Sequence, residues 1–112
     1  MLPVRMVEIR YYVASANTEP FANWFAELDP TASAKVTRAI ARVQQGNFSN
    51  VKSVGEGVLE YKIDFGPGYR IYFGRDGDKI VILLTGGTKK RQQRDVDTAK
   101  GYWRDYKQSK RG

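Results

Sequence analysis

The sequence predicts an α+β fold in which a β-α-α hairpin unit precedes a three- to four-stranded antiparallel sheet and a C-terminal helix. Two patterns indicate this order. Apolar side chains recur at helical spacing between residues 21 and 43 and again from residue 96, whereas from Val51 onward they alternate with a period of two. At 112 residues the chain fits one domain with a single core, and we expect that domain to span residues 1–112 with a frayed basic tail at 107–112.

The first half predicts a strand followed by a short helix hairpin. Residues 4–13 are rich in β-branched and aromatic side chains. Asn17 or Thr18 can cap the helix that follows, and Pro20 suits its first turn. The apolar stripe of that helix is Phe21, Trp24, Phe25 and Leu28. Asp29 or Thr31 can cap a second helix that ends at Gly46. We expect both helices on one face of the sheet, with the polar side of the second helix (Lys35, Arg38, Arg42) solvated.

The second half predicts a meander of strands and then a helix. Residues 59–65 and 69–73 alternate apolar and polar side chains across the turn at residues 66–68. After a second turn at residues 75–78, residues 80–84 are apolar on both sides, which is typical of a strand that is covered on both faces. We expect the Gly86-Gly87 pair to end the sheet. Val96, Ala99 and Trp103 then form the stripe of the last helix.

Charge gives the first indication of function. The 19 basic and 12 acidic residues leave a net charge of +7, divided as +1 in residues 1–50, 0 in residues 51–88 and +6 in residues 89–112. A nearly neutral body with a basic C-terminal quarter favours a polyanionic or strongly acidic partner, with nucleic acid the leading candidate.

Composition also limits the chemistry. The chain has no cysteine and no histidine, so it lacks a thiolate nucleophile, thiolate and imidazole metal ligands and the usual acid/base group of neutral pH. We therefore expect no metal and no small-molecule cofactor. The sequence has no apolar run of the roughly 18 residues that a membrane span needs, and residues 1–5 lack the order of a signal peptide. We expect a cytoplasmic protein without a membrane partner.

One set of polar side chains is a candidate site. Lys62, Arg70 and Tyr72 alternate with apolar residues, so they should share the sheet face opposite the apolar set and converge on one open surface. After the third meander strand, further cations follow at Lys89, Lys90, Arg91 and Arg94. Such a surface suits a phosphodiester, because arginine grips phosphate oxygens bidentately and tyrosine can stack on a base. Alternatively, Lys62 pairs with Glu60 or Asp64 and Arg70 pairs likewise, which leaves a solvated face.

These residues carry a family resemblance. The runs at residues 60–63, 68–73 and 86–90, together with Arg94-Asp95, resemble the RelE/ParE toxin superfamily, most closely its HigB-like, phage-Gp49-related addiction module killer branch. The resemblance covers nearly the whole chain and implies the RelE/ParE-like fold. It also implies a bacterial type II toxin that inhibits translation and is held inactive by a cognate helix-turn-helix antitoxin encoded beside it.

The resemblance implies ribosome-dependent cleavage of mRNA, in which the 2′-hydroxyl attacks the adjacent phosphate without a metal. By position, Arg70 would stabilise the phosphorane, Lys62 would act as base or charge stabiliser, and Lys89 or Lys90 would steady the leaving oxygen. The further implied roles are orientation or stacking by Tyr72, a fallback base in Glu60 and substrate contacts from Arg91 and Arg94.

Two other functions stay open. ParE toxins share the fold but poison DNA gyrase without being enzymes, and the chain could also be a nucleic-acid-binding module without catalysis. The sequence departs from ribonuclease members of the superfamily, which often carry a basic residue at the position of Asp64 and a tyrosine within the stretch of residues 92–95.

Overall fold

The computed structural model describes residues 6–111 and confirms the α+β prediction. Within this range the elements are β1 (Glu8–Tyr11), a 3-10 helix (Ser15–Asn17), α1 (Pro20–Ala26), α2 (Pro30–Gln44), β2 (Val51–Gly55), β3 (Val58–Ile63), β4 (Tyr69–Asp76), β5 (Ile80–Thr88), a second 3-10 helix (Lys89–Arg91) and α3 (Gln92–Arg111). Val4 and Arg5, the first residues examined for the opening strand, and Gly112 at the chain end lie outside the described residues.

The strands form one sheet in the order β1-β5-β4-β3-β2. Strands β2 to β5 are the predicted antiparallel meander, and β1 adds to its β5 edge in parallel. Parallel neighbours need a long connection, and the chain between β1 and β5 runs through the helix hairpin and strands β2 to β4. The register pairs Glu60 with Tyr72 and Lys62 with Arg70 between β3 and β4, and Arg70 with Gly87 between β4 and β5.

The helix hairpin packs on one face of the sheet, as the sequence predicts. Phe21 of α1 and Val36 of α2 join Phe73 and Leu83 of the sheet in one buried apolar cluster. The predicted cap at Asp29 is confirmed, because its carboxylate accepts a hydrogen bond from the backbone nitrogen of Ala32 at 2.9 Å.

The predicted cap of the first helix is wrong, whereas Pro20 lies in its first turn as predicted. Residues 15–17 form a 3-10 helix, and α1 begins at Pro20 without a side-chain cap from the preceding Glu19. Proline fits the first helical turn because the missing N–H of that position has no partner within the helix.

Helix α3 packs on the other face of the sheet. Val96, Ala99 and Trp103 lie against Tyr72 and Ile82, among other buried residues. This corrects the expectation of an open polar face. The alternation of polar and apolar residues along β4 places Arg70 and Tyr72 on the side away from the hairpin, but it does not reveal that a later helix returns to cover that side.

The C-terminal end of α3 is anchored to the sheet. Tyr12 donates a hydrogen bond to Asp105 at 2.5 Å, and Tyr106 donates one to Asp76 at 2.6 Å. Lys110 pairs with the same Asp76 carboxylate. The tail expected to fray from residue 107 is therefore helical through residue 111.

Within residues 6–111, no helix combines the length and the apolar character that crossing a membrane requires.

Strand β5 is covered on both faces, as its sequence predicts. Val81 and Leu83 belong to the cluster under the hairpin, whereas Ile82 and Leu84 belong to the cluster under α3.

The prediction for Gly86 and Gly87 is wrong, because both lie inside β5 rather than at its end. A Cβ on Gly86 would come within 2.3 Å of the Trp24 ring, and one on Gly87 within 1.8 Å of the Asp95 carboxylate. These glycines give two side chains, one on each face, room to touch the strand.

Candidate functional site

Three cations from three elements meet beside the turn between β3 and β4. Lys62 and Arg70 are direct cross-strand partners. The Arg70 Nη1 atom donates to the carbonyl of Gly68 at 3.1 Å, and the backbone nitrogen of Lys89 donates to the same carbonyl at 2.8 Å. A Cβ on Gly68 would lie 3.3 Å from both Arg70 Nη1 and the Lys89 Cβ. We call Lys62, Arg70 and Lys89 the cationic corner.

The members of the cationic corner differ in exposure. The side chain of Lys62 is 53% exposed and lies 3.6 Å from an Asp64 carboxylate oxygen. Lys89 is also exposed, whereas Arg70 as a whole is only 4% exposed. Two lysines therefore face solvent, and the guanidinium lies behind them.

More positive charge surrounds the corner. Lys90 and Arg91 are exposed on the second 3-10 helix, and Arg94 is exposed in the first turn of α3. They lie near the corner because the backbone nitrogen of Lys89 donates to the Gly68 carbonyl, which joins the start of this 3-10 helix to the turn.

Arg70 also belongs to a buried polar cluster under the N-terminal end of α3, formed by Glu60, Arg70, Tyr72, Gln92 and Asp95. The Glu60 side chain is fully buried, and its Oε1 lies 3.6 Å from Arg70 Nε and 3.7 Å from the Nζ of Lys52. Gln92 donates a hydrogen bond to the other carboxylate oxygen at 2.9 Å. Two cations and an amide thus compensate a carboxylate that would otherwise be costly to bury.

Four buried atoms of this cluster have no hydrogen-bond partner in the part of the chain that the structure describes: Glu60 Oε1, Arg70 Nε, Tyr72 Oη and Asp95 Oδ2. Burial, with the negative charge of Glu60 adding to it, raises the pKa of Tyr72 well above its usual range. Burial also raises the pKa of Asp95, against the opposing effect of Arg91 and Arg94. The cluster is thus a buried polar region at the edge of the apolar interface between α3 and the sheet.

The structure brings some of the predicted site residues together and separates others from solvent. Lys62 lies across from Arg70, and Lys89 shares the Gly68 carbonyl with it, but Arg70 is buried rather than open to solvent. Glu60 and Tyr72 are fully buried, so the expectation that they face an open surface is wrong. In this conformation Tyr72 offers no ring face on which a base could stack, because α3 covers it.

The alternative prediction of ion pairing is partly confirmed. Lys62 pairs with Asp64, and Arg70 faces Glu60, but the Arg70–Glu60 pair is buried rather than solvated.

Sequence reasoning missed three members of this region: Lys52, Gln92 and Asp95. A signal for Asp95 was present, because a glycine inside a strand often marks a close approach by another group. Gly87 is that glycine, and it is the cross-strand partner of Arg70, which places the Asp95 carboxylate on the same face. Lys52 and Gln92 had no comparable signal, since their positions depend on how β2 and α3 pack.

The α+β architecture, with one sheet and a C-terminal helix, agrees with the fold that the resemblance to RelE/ParE toxins implies. The family model described as "Phage derived protein Gp49-like (DUF891)" matches residues 23–102, and the chain belongs to this family of RelE-like addiction-module killer toxins. Among curated proteins, an uncharacterized protein of Haemophilus influenzae is 43% identical over 84 residues, which cover 74% of this chain and 85% of that protein.

Proposed function

We propose that this protein is the toxin of a bacterial type II toxin–antitoxin system and that it cleaves mRNA on the ribosome. One observation carries the proposal: Lys62 of β3 lies across from Arg70 of β4, and Arg70 and the backbone of Lys89 both donate to the carbonyl of Gly68. Positive charge that is fixed in place before a phosphate arrives stabilises the additional negative charge of a phosphorane.

The reaction needs only groups that this chain and the RNA contain. The 2′-oxygen forms a bond to the adjacent phosphorus, the bond from phosphorus to the 5′-oxygen breaks, and the products are a 2′,3′-cyclic phosphate and a 5′-hydroxyl. One group must take the proton of the 2′-hydroxyl, and another must protonate or stabilise the leaving oxygen. We assign the leaving oxygen to Lys89 or Lys90, both of which are exposed at the corner.

The buried position of Glu60 bears on the choice of base. One of its carboxylate oxygens accepts from Gln92 at 2.9 Å, and the residue is 0% exposed. Lys62 lies across from Arg70 on the exposed end of β3, so RNA can reach it without movement of α3. We therefore assign proton transfer to Lys62, and we assign to Glu60 the positioning of the Arg70 guanidinium.

Family membership supports an antitoxin as the partner. We propose that a helix-turn-helix antitoxin covers the cationic corner with acidic side chains. The remaining cations at the corner, Lys90, Arg91 and Arg94, are exposed and suit either this partner or the RNA substrate. Occupation of the same surface by the two would explain how the antitoxin prevents cleavage.

Induced expression of the full chain tests the proposal, with primer extension on a reporter transcript and growth as the readouts. Lys62→Ala and Lys89→Ala are the informative variants, because both side chains are exposed and their removal should leave the fold intact. We expect each to reduce cleavage by about 100-fold or more. Lys79→Ala is the matched control, since Lys79 is exposed in the turn at the opposite end of β4.

Three results would contradict the proposal. Equal cleavage by the wild type and both corner variants would remove the corner from the chemistry. Growth arrest with intact mRNA and a DNA damage response would instead indicate a gyrase inhibitor. RNA binding with neither arrest nor cleavage would indicate a binding module without catalysis.

A further inference from the structure

We infer that the groove between α2 and β3 is a second RNA-binding surface, which holds the phosphodiester backbone of an RNA strand next to the cationic corner. We call it the α2 groove and define it by Lys35, Arg38 and Arg42 of α2 together with Lys62 of β3. The inference depends on the proposed function only for the identity of the nucleic acid as RNA. The expectation that the groove binds a polyanion follows from its shape and its positive charge.

The cations of α2 lie on one side of the helix. Lys35, Arg38 and Arg42 are spaced by three and four residues, so their side chains project in similar directions and span about 10 Å along the helix axis. The opposite side of α2 carries the buried residues Val36 and Val43, which pack on the sheet. Residues 30–44 contain no acidic side chain, so α2 has a charge of +3.

The groove meets the cationic corner at Lys62. A concavity of about 180 Å³ lies between α2 and the end of β3, and a neighbouring one of about 460 Å³ extends from there along β2 to Lys52. The two share Asn50, Lys62 and Asp64 as lining residues. Lys62 is thus both a wall of the α2 groove and a member of the cationic corner, and a strand that occupies one place can continue into the other.

The charge of the groove is poorly compensated within the protein. None of Lys35, Arg38 and Arg42 forms an ion pair with an acidic side chain of residues 6–111. The acid among the lining residues, Asp64, is 85% exposed and already lies 3.6 Å from Lys62. An anionic ligand would therefore meet several unneutralised cations and displace their counterions.

Two of these cations contact aromatic side chains, which do not neutralise their charge. The Nζ atom of Lys35 lies 4.7 Å from the ring centroid of Phe65. Arg42 Nη1 lies 3.5 Å from the hydroxyl of Tyr61. Such contacts restrict the side chains before a ligand arrives, which lowers the entropy cost of binding.

A polynucleotide fits this arrangement better than an acidic peptide. The phosphates of a polynucleotide recur at regular intervals along one chain, and the cations of α2 and Lys62 likewise follow one another along the groove. The substrate of the proposed reaction also has to extend beyond the phosphate that is cleaved, and the α2 groove leads away from the corner. The sequence alone predicts a merely solvated helix face here, because it does not show that β3 ends opposite these side chains.

The test measures binding of a fluorescent single-stranded RNA whose 2′-hydroxyls are all methylated, so that it cannot be cleaved. Anisotropy titrations over a series of salt concentrations give the slope of log affinity against log salt. The full-length double variant Lys35→Gln/Arg38→Gln should lose about 0.7 of slope for each phosphate contact removed, or about 1.4 in total, and bind more weakly. Lys79→Gln/Lys107→Gln removes the same charge from exposed positions outside the groove and should keep the wild-type slope.

Three outcomes would overturn the inference: an unchanged slope in the α2 double variant, an equal loss in both double variants, or a loss confined to duplex DNA of the same length. The readout is independent of cleavage, because the probe cannot react. If mRNA stays intact in cells while the α2 variant alone loses RNA affinity, the proposed function fails and the groove stands. If Lys89→Ala abolishes cleavage while the α2 variant binds RNA with the wild-type slope, the proposed function stands and the inference about the α2 groove fails.

Discussion

The helix hairpin covers one face of the sheet with aliphatic and aromatic side chains, whereas α3 covers the other with similar side chains at its centre and charged groups at its N-terminal end. Phe21, Val36 and Phe73 exemplify the first interface. In the second, Trp103 and Val96 pack on the sheet, and Glu60 and Arg70 are buried nearby. The cationic corner lies at this polar end.

The hairpin face contributes free energy of folding through apolar burial, whereas the polar end of the α3 face buries charges whose desolvation is unfavourable. Burial of apolar surface is favourable without a specific partner, so the hairpin face stabilises the domain through many interchangeable contacts. A buried ion pair is stable only as a unit, because either partner alone leaves an uncompensated charge. The Glu60–Arg70 pair places a guanidinium behind the exposed lysines, which favours a functional reason for keeping it.

The largest expected effect is on the hairpin face. Phe73→Ala removes a fully buried ring between the sheet and the hairpin and should lower the free energy of unfolding by about 3–5 kcal/mol. Chemical denaturation measures this value. No second substitution in the polar cluster should restore the loss, because the cavity forms on the other side of the sheet, and such a rescue would contradict the separation of the two faces.

The α3 face should respond differently to loss of one polar partner. Arg70→Met leaves the buried Glu60 carboxylate with Lys52 as its one ion-pair partner among the described residues, and should cost about 3–5 kcal/mol in unfolding free energy. The double variant Glu60→Leu/Arg70→Met should recover most of that loss, since both charges are then gone. A double-mutant cycle checks this. Additive losses would show that the pair does not act as a unit.

The adjacent glycines of β5 provide a matched comparison of the two faces. Gly86→Ala pushes on the Trp24 ring and Gly87→Ala on the Asp95 carboxylate, and each should cost about 1–3 kcal/mol through overpacking. Asp95→Ala should relieve the Gly87 variant and leave the Gly86 variant unchanged. Thermal unfolding of the single and double variants measures this, and equal relief of both would contradict the assignment of one glycine to each face.

The smallest effect should come from pH at the C-terminal end of α3. Hydrogen bonds from Lys110 and Tyr106 lower the pKa of Asp76 below its ordinary value of 3.8. The stabilisation is therefore fully present above that value and is lost as the pH falls through the lowered pKa of the folded state. Asp76→Asn should remove this dependence, worth at most about 1 kcal/mol, from the unfolding free energy. Asp78→Asn in the adjacent turn should keep it.

Much of the fold could be predicted from local patterns. The stripe of α2 and its cap at Asp29, the meander of strands and the double-sided burial of β5 all depend on periodicity or on hydrogen bonds between residues that are near in sequence. Pro20 was correctly expected in the first turn of α1, but neither predicted cap is used, because residues 15–17 form a 3-10 helix and Glu19 precedes α1.

The candidate site was predictable only in part. Alternation along β3 and β4 placed Lys62 and Arg70 on one face, and the structure confirms this placement and adds that they are direct cross-strand partners. Exposure was not predictable, since it depends on α3, which begins at residue 92 and packs back over Tyr72. The same long-range packing brings Asp95 onto Gly87.

The sequence by itself determined the class of fold, the hairpin face, the basic C-terminal quarter and the placement of Lys62 and Arg70 on one sheet face, because each follows from composition or from spacing along a single element. Only the tertiary structure decided that Arg70 is buried against Glu60, that Tyr72 lies under α3, and that the cations of α2 line a groove leading to Lys62. The physical reason is that burial and charge compensation depend on which distant segments meet, and local periodicity carries no information about that.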